Sequence, residues 1–295
     1  MRTLRAWAPY FMALIAIMIL VIQFRYRSDV TDWENISALT WDQSIFLALL
    51  LIWLAIVNWL ADTRTWMSLS GMVSLRESLS ENLRAQAAGT ISPLATGEHW
   101  IRMKQAGNLR TGLMISVAYR WVKLAGRILP TLFFIGVWEF RENPSIGTLL
   151  IITPIFLLAT LPRLLRRLLE DYGKVDYLRK QDLLAGMAWA VVKFLAYSLQ
   201  LFLFLGFLGV DFSFTLLVSV TAFYALAGFI PQSGFLDPII RSGLGSLFFV
   251  NFDHNPLVVL GILVIWTLNV GLPALYAFLV WPVQIQKRRQ TRNSV

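Results

Sequence analysis

The chain has 295 residues, of which 57% are hydrophobic, and a mean hydropathy of +0.62. A soluble domain of this length buries its core with far less apolar surface, so we predict an integral membrane protein without a soluble catalytic domain. The absence of cysteine excludes disulfides and thiolate metal sites, and two histidines are too few to favour a metal site. The net charge is +9, and most basic residues lie between apolar runs. This pattern is typical of the loops of membrane proteins rather than of a nucleic-acid-binding surface.

Six apolar stretches can each cross a bilayer as a helix, which requires about 20 residues. The first follows Arg2 and Arg5 and is predicted to be retained, because a signal peptide has a shorter core and small residues at its cleavage site. The fourth is short and contains Pro154, which predicts a tilt or a bend. The predicted spans are Trp7–Phe24, Gln43–Ala61, Gly112–Phe140, Ser145–Pro162, Leu183–Leu208 and Pro256–Trp281.

The distribution of lysine and arginine predicts the orientation of these spans. Six basic residues lie in Asp62–Thr111, six in Arg163–Asp182 and four after Trp281. Basic loops stay in the cytoplasm, so both termini and the two long basic loops are predicted to be cytoplasmic in a multi-pass protein of the cell membrane, inner or plasma.

Two further segments are predicted to enter and leave the membrane by the same face. Phe212–Val250 is apolar and is broken at Pro231, and counting it as one crossing would put the basic tail outside. Trp66–Lys104 is less apolar but has a similar break at Pro93. The fold class is therefore an all-α polytopic bundle of six spans and two broken re-entrant hairpins, or about eight spans, in two inverted repeats. The chain forms one transmembrane domain over 1–295, with halves at about 1–140 and 145–285 and a basic cytoplasmic tail at 286–295.

The two hairpin breaks have the same order of residue types. In each, proline and glycine precede an acid, and an arginine follows the acid four residues later. An acid and an arginine at this spacing share one face of a helix, so each pair can form an ion pair near the start of the new helix. Helix breaks at corresponding positions of two inverted halves indicate a central transport site. The residues are Pro93, Gly97, Glu98 and Arg102 in the first break, and Pro231, Gly234, Asp237 and Arg241 in the second.

These segments resemble the transmembrane domain family of lysylphosphatidylglycerol synthases, also called flippase-like. The resemblance rests on Pro93–Glu98 followed by Arg102 and on Ile230–Arg241, and it covers roughly Gln43 to Trp281. The second segment departs from the family's richer glycine run and glutamate, since Asp237 is followed here by proline. The resemblance implies a domain that handles lipid or moves it across the bilayer. Full-length synthases add a cytosolic aminoacyl transferase, which we do not expect here because the chain ends at Val295.

Charged residues inside the predicted spans suggest an anionic ligand. Arg120, Lys123 and Arg127 share one face of the third span, and exposing all three to lipid would cost roughly 8–10 kcal/mol. Two interpretations remain for these three residues, which we call the cationic stripe: they line a polar cavity, or they lie in the cytoplasmic headgroup layer. Lys193 lies near the middle of the fifth span and is predicted to pair with Glu98 or Asp237. Three other polar residues are predicted to be interhelical hydrogen-bonding residues, namely Asn58, Thr267 and Asn269.

The function predicted from these features is the binding and translocation of an anionic or amphipathic lipid, either a phospholipid or a polyprenyl-linked lipid. The alternative is a non-transporting accessory subunit that presents lipid to a membrane-associated glycosyltransferase or synthase. No phosphate-binding loop, nucleophile elbow or zinc-protease motif is present, so we predict no enzymatic activity, no cofactor and no bound metal. The predicted partner is a membrane lipid, with no nucleic acid.

Overall fold

The computed structural model of the protein describes residues 18, 39–92, 96–105, 109–172, 179–230, 236–250 and 255–279. These residues form α-helices and short connections, and the described ranges contain no strand. The predicted first span apart from Met18, the basic tail, Pro93, Pro231, Gly234 and residues 251–254 lie outside them. The helices are α1 (Trp41–Ser70), α2 (Leu75–Ile91), α3 (Thr96–Gln105), α4 (Leu109–Glu139), α5 (Pro144–Tyr172), α6 (Lys180–Phe207), α7 (Phe214–Ala227), α8 (Asp237–Phe248) and α9 (Asn255–Trp266).

Within the described ranges, five helices are long and apolar enough to cross a membrane, and they correspond to the second to sixth predicted spans. The last of them continues beyond α9 through a π-helical turn at Thr267–Gly271 and reaches residue 279. The described part of the chain is therefore an all-helical, membrane-embedded bundle. Helix α5 is one helix through both Pro154 and Pro162 and continues past the predicted end of the fourth span, and the tilt or bend at Pro154 stays a prediction.

Helix α1 runs well past the predicted end of its apolar stretch at Ala61. It begins with a capping box, in which the Gln43 backbone N–H donates to Thr40 Oγ1 and the Thr40 N–H donates to Gln43 Oε1. It ends at Gly71, whose φ of 71° favours glycine and whose N–H donates to the Met67 carbonyl. No helix-breaking residue intervenes, so Asp62 and Trp66 belong to α1, and the prediction that a hairpin begins at Trp66 is wrong.

Each predicted hairpin contains two short helices flanking its break. Helices α2 and α3 flank the first break and pack against each other, and α7 and α8 flank the second. Helices α3 and α8 both begin just after the break and carry an acid in the first turn, as predicted from the sequence. The inverted relationship between the two pairs of helices stays a prediction.

The helices pack around α6, which contacts α1 along much of its length and also contacts α4. Two large apolar clusters and one small one form the core of the described residues. One large cluster joins α1, α6, α7 and α9 around Leu51, Leu201 and Ile262. The other joins α1, α4, α5 and α6 around Trp66, Val122 and Met187. Helix α5 lies at the edge of the bundle and exposes large apolar side chains such as Leu149 and Phe156, as expected of a helix that faces lipid.

Candidate functional site

A polar cavity of about 110 Å³ lies inside the bundle, with lining residues on α1, α2, α3, α4, α6, α7, α8 and α9 and on the π-helical turn. A water needs roughly 10–15 Å³ of such a cavity, so this one can hold a polar group of several atoms. Its charged wall contains three carboxylates and four cations: Asp62, Glu98 and Asp237, with Lys123, Arg127, Lys193 and Arg241. Six of these seven residues were predicted from the sequence as site residues.

The seventh, Asp62, receives the most hydrogen bonds and was not predicted. Its carboxylate accepts a bond from Lys193 Nζ at 2.5 Å, from the Tyr119 hydroxyl at 2.6 Å and from Asn82 Nδ2 at 3.0 Å. Lys123 Nζ lies 3.9 Å from the same carboxylate. The distribution of basic residues predicts a cytoplasmic loop from Asp62, whereas the absence of a helix-breaking residue before Gly71 is the sequence signal that Asp62 belongs to α1.

Lys193 therefore pairs with a different acid from the two that the sequence suggested. Its ion-pair partner is Asp62 on α1, rather than Glu98 or Asp237. The pairing follows from the packing of α6 along α1, which brings the two side chains to the same level of the bundle. The two lysines compensate the negative charge of this buried carboxylate, so its burial does not require a metal ion.

Arg102 anchors α3 behind the cavity wall. Its side chain is 1% exposed, and Nε and Nη2 donate to Glu98 Oε1 at 3.0 and 2.9 Å. Nη2 also donates to Asn82 Oδ1 at 2.7 Å and to the Tyr119 hydroxyl at 3.1 Å. The guanidinium lies 4.5 Å from the ring centre of Trp66 and 4.1 Å from that of Tyr119. Arg102 thus links the α3 ion pair to the Asp62 cluster, and it does not itself line the cavity.

The second break produces a similar pair at the start of α8. Arg241 Nε donates to Asp237 Oδ2 at 2.7 Å, and both residues are 8% exposed. Pro238 occupies the first turn of α8, where the missing N–H costs no intrahelical bond, and it leaves the pair intact. Both members of this pair line the cavity.

The three residues of the predicted cationic stripe on α4 do not all line the cavity. Lys123 and Arg127 line the cavity, whereas Arg120 is exposed and lies outside it. Arg127 Nη1 donates at 3.0 Å to the carbonyl of Gly228, the residue that ends α7. A cation is favourable at a helix C-terminus, so Arg127 both faces the cavity and holds the end of α7. The cavity-lining interpretation therefore fits Lys123 and Arg127, whereas the placement of Arg120 in the headgroup layer stays a prediction.

An amide cluster forms the uncharged part of the site. Asn269, in the π-helical turn, accepts a bond from Asn58 Nδ2 and donates to Gln200 Oε1 at 2.7 Å, and its carbonyl accepts from Gln86 Nε2 at 2.9 Å. The prediction that Asn58 and Asn269 bond between helices is confirmed, whereas Thr267 is exposed and bonds within its own helix. Such π-helical turns occur frequently at functional sites.

The remaining predicted site residue within the described ranges is Gly97. It lies in the first turn of α3, and its N–H donates to Ser92 Oγ at 2.7 Å, across the gap that contains Pro93. Among the residues that the structure describes, no group of three or more histidine, aspartate or glutamate side chains could hold a metal ion.

The chain matches no protein-family model, and no curated protein matches it. The resemblance to the transmembrane domain of lysylphosphatidylglycerol synthases therefore stays a prediction that rests on the residues of the two breaks.

Proposed function

We propose that this protein binds the anionic headgroup of a lipid in the central cavity and moves that lipid across the membrane. The observation that carries the proposal is the charge of the cavity wall. Glu98, Asp237 and Asp62 each have a cation in direct contact, namely Arg102, Arg241 and Lys193. Lys123 and Arg127 are additional cations on the same wall, with no hydrogen bond to a carboxylate within the described ranges.

A phosphate group is the ligand class that this excess of positive charge favours. Guanidinium and ammonium groups bind phosphate oxygens with strong charge-assisted hydrogen bonds, and burial strengthens the attraction. Because the cavity lies within helices that expose apolar residues to the bilayer, the phosphate is best carried by an amphipathic molecule whose chains remain in lipid. A phospholipid or a polyprenyl-linked lipid meets both requirements.

The proposal includes a topology. Five apolar helices support spans two to six, and the first span, the cytoplasmic termini and the cell membrane are proposed from the apolar run at Trp7–Phe24 and the distribution of basic residues. In this arrangement α2–α3 and α7–α8 would be the two re-entrant hairpins, entering from opposite faces and meeting at the cavity.

The test is lipid movement in liposomes that contain the purified full-length protein. The probes are two tail-labelled lipids, anionic phosphatidylpropanol and zwitterionic phosphatidylcholine, and a membrane-impermeant quencher reports the fraction that changes leaflet. We expect faster movement of the anionic lipid. Lys123→Gln should reduce its rate about tenfold or more, because a hydrogen bond to a charged group is lost. Arg120→Gln is the matched control, since it removes the same charge from the same helix outside the cavity.

Three results would separate the proposal from its alternatives. Equal rates for the two lipids, or equal effects of Lys123→Gln and Arg120→Gln, would contradict a cationic headgroup site. Binding of phosphatidylpropanol without any movement between leaflets would favour the accessory subunit, which presents lipid to a membrane-associated transferase.

A further inference from the structure

Two cations in the wall of the cavity have no carboxylate of their own. Lys123 Nζ lies 3.9 Å from Asp62, but the single negative charge of Asp62 is already matched by Lys193, which donates to it directly. Arg127 donates to the carbonyl of Gly228 and forms no ion pair within the described ranges. Lys123 and Arg127 are therefore two positive charges that the described part of the protein does not neutralise.

The charge of the whole wall gives the same excess. Arg102 pairs with Glu98 from behind the wall, and with it five described cations face three carboxylates. Helix ends add partial charges of about one half each. Helix α7 ends beside Arg127 and contributes a negative one, whereas α3 and α8 begin at the cavity and contribute two positive ones. The helix ends thus do not cancel the excess of about two positive charges.

The two unmatched cations are accessible from the cavity. The side chain of Lys123 is 17% exposed, and Arg127 is half-buried. Arg127 uses one of its five N–H groups for the Gly228 carbonyl, and Lys123 uses none of its three for a hydrogen bond to a described residue. Tyr197 is half-buried beside them and its hydroxyl has no hydrogen-bond partner in the described ranges. This part of the wall therefore offers several donors to a ligand that carries acceptor oxygens.

We propose that the ligand of this cavity is a lipid whose phosphate carries two negative charges. The phosphodiester of most phospholipids carries one, and it would leave one of the two cations in the cavity unmatched, which is costly in a buried site. A phosphate monoester carries about two charges on three terminal oxygens, and a diphosphate diester carries one charge on each phosphate. This inference rests on the proposed function, since it names the charge of the headgroup at the same site.

The test measures lipid movement in liposomes that contain the full-length protein, with protein-free liposomes as the background. The three anionic probes share the same labelled acyl chains: phosphatidic acid is a monoester, phosphatidylmethanol is its methyl diester, and CDP-diacylglycerol contains a diphosphate diester. The second pKa of a phosphate monoester is about 6, so at about pH 8 phosphatidic acid is a dianion. We expect a dianionic probe to move about tenfold faster or more than phosphatidylmethanol, because its second charge gains a charged hydrogen bond.

Two charge variants assign this preference to the unmatched cations. Lys123→Gln and Arg127→Gln each leave one excess charge, which a monoanion satisfies. The ratio of the dianionic to the monoanionic rate should therefore fall about tenfold or more in each variant, towards one. Arg120→Gln removes a charge from the same helix outside the cavity and should leave the ratio unchanged. A ratio measured on one protein sample is insensitive to a partial loss of folded protein.

The faster of the two dianionic probes identifies the source of the two charges, a monoester or a diphosphate. Equal rates for all three anionic lipids would overturn the inference, and the proposed function would stand provided that phosphatidylmethanol still outpaced phosphatidylcholine. A preference that persists in both Lys123→Gln and Arg127→Gln would also overturn it, because other groups, such as those that contact a nucleoside, would then cause it. No preference for any anionic lipid over phosphatidylcholine would overturn both proposals.

Discussion

Lys193 and Asp62 form an ion pair of 2.5 Å in the cavity wall although 131 residues separate them in the sequence. The pair joins α1 to α6, the two helices that pack most extensively against each other. The carboxylate is 8% exposed and the lysine side chain 20%, so neither charge is fully hydrated. The ion pair therefore links α1 to α6 and positions a cation beside the proposed headgroup site.

Asp62→Asn is expected to be strongly destabilising. It leaves Lys193 buried without its carboxylate, and breaking a buried pair from one side typically costs about 3–5 kcal/mol. The measurement is the free energy of unfolding of the protein in detergent micelles. Asp42→Asn is the matched control, because Asp42 is an exposed acid in the first turn of the same helix and its loss should cost less than about 1 kcal/mol. Equal costs for the two variants would show that the Asp62 charge is solvated.

The ion pairs of α3 and α8 should respond differently to a reversal of charge. In α3, the swap of Glu98 and Arg102 places a carboxylate beside the Tyr119 hydroxyl, which already donates to Asp62. The repulsion between this new carboxylate and that of Asp62 should keep the swapped protein inactive. Among the described residues, Arg241 has a single hydrogen-bonded partner, Asp237.

The swap of Asp237 and Arg241 should therefore retain part of the lipid movement, with a penalty of about 0.3–1 kcal/mol for a cation in the first turn. The neutral single variants Glu98→Gln and Asp237→Asn should both be severely impaired. The measurement is lipid movement at equal membrane abundance for all four proteins. Equal recovery by the two swaps would contradict the role of the additional partners of Arg102.

Gly126→Ala should push α4 away from α6 at the level of the cavity. A Cβ atom at Gly126 would lie 2.5 Å from the Ala190 Cβ and 2.7 Å from the Ala190 carbonyl carbon, so the backbones must separate. Overpacking of this kind costs about 1–3 kcal/mol. In Gly186→Ala the nearest atom is a Val122 methyl at 3.4 Å, so that variant should unfold at a temperature close to that of the wild type. Thermal unfolding of both proteins in micelles tests the difference.

The topology can be tested with single cysteines, because the chain contains none. A cysteine at Val73, which is 92% exposed between α1 and α2, should react only with reagents applied from the cytoplasmic side. A cysteine at Asn255, where α9 begins, should react only from outside the cell. The external position of the second hairpin would be wrong if Asn255→Cys reacted from the cytoplasmic side alone.

The sequence by itself determined the five long apolar helices of the described ranges and the two ion pairs that follow the breaks. Both are local properties: a long apolar run satisfies its backbone within one helix, and an acid and an arginine four residues apart share a face in any helix. Glu98 with Arg102, and Asp237 with Arg241, could therefore be paired without knowing how the helices pack.

Tertiary structure decided which charges share the cavity. The pairing of Lys193 with Asp62 depends on the contact between α1 and α6, and residues 131 positions apart give no periodic signal of such a contact. Arg120 and Arg127 lie on one face of α4, but seven residues separate them by about 10 Å along the helix. The sequence does not show which part of this face a neighbouring helix covers, and the packing of the helices determines that Arg127 lines the cavity and Arg120 does not.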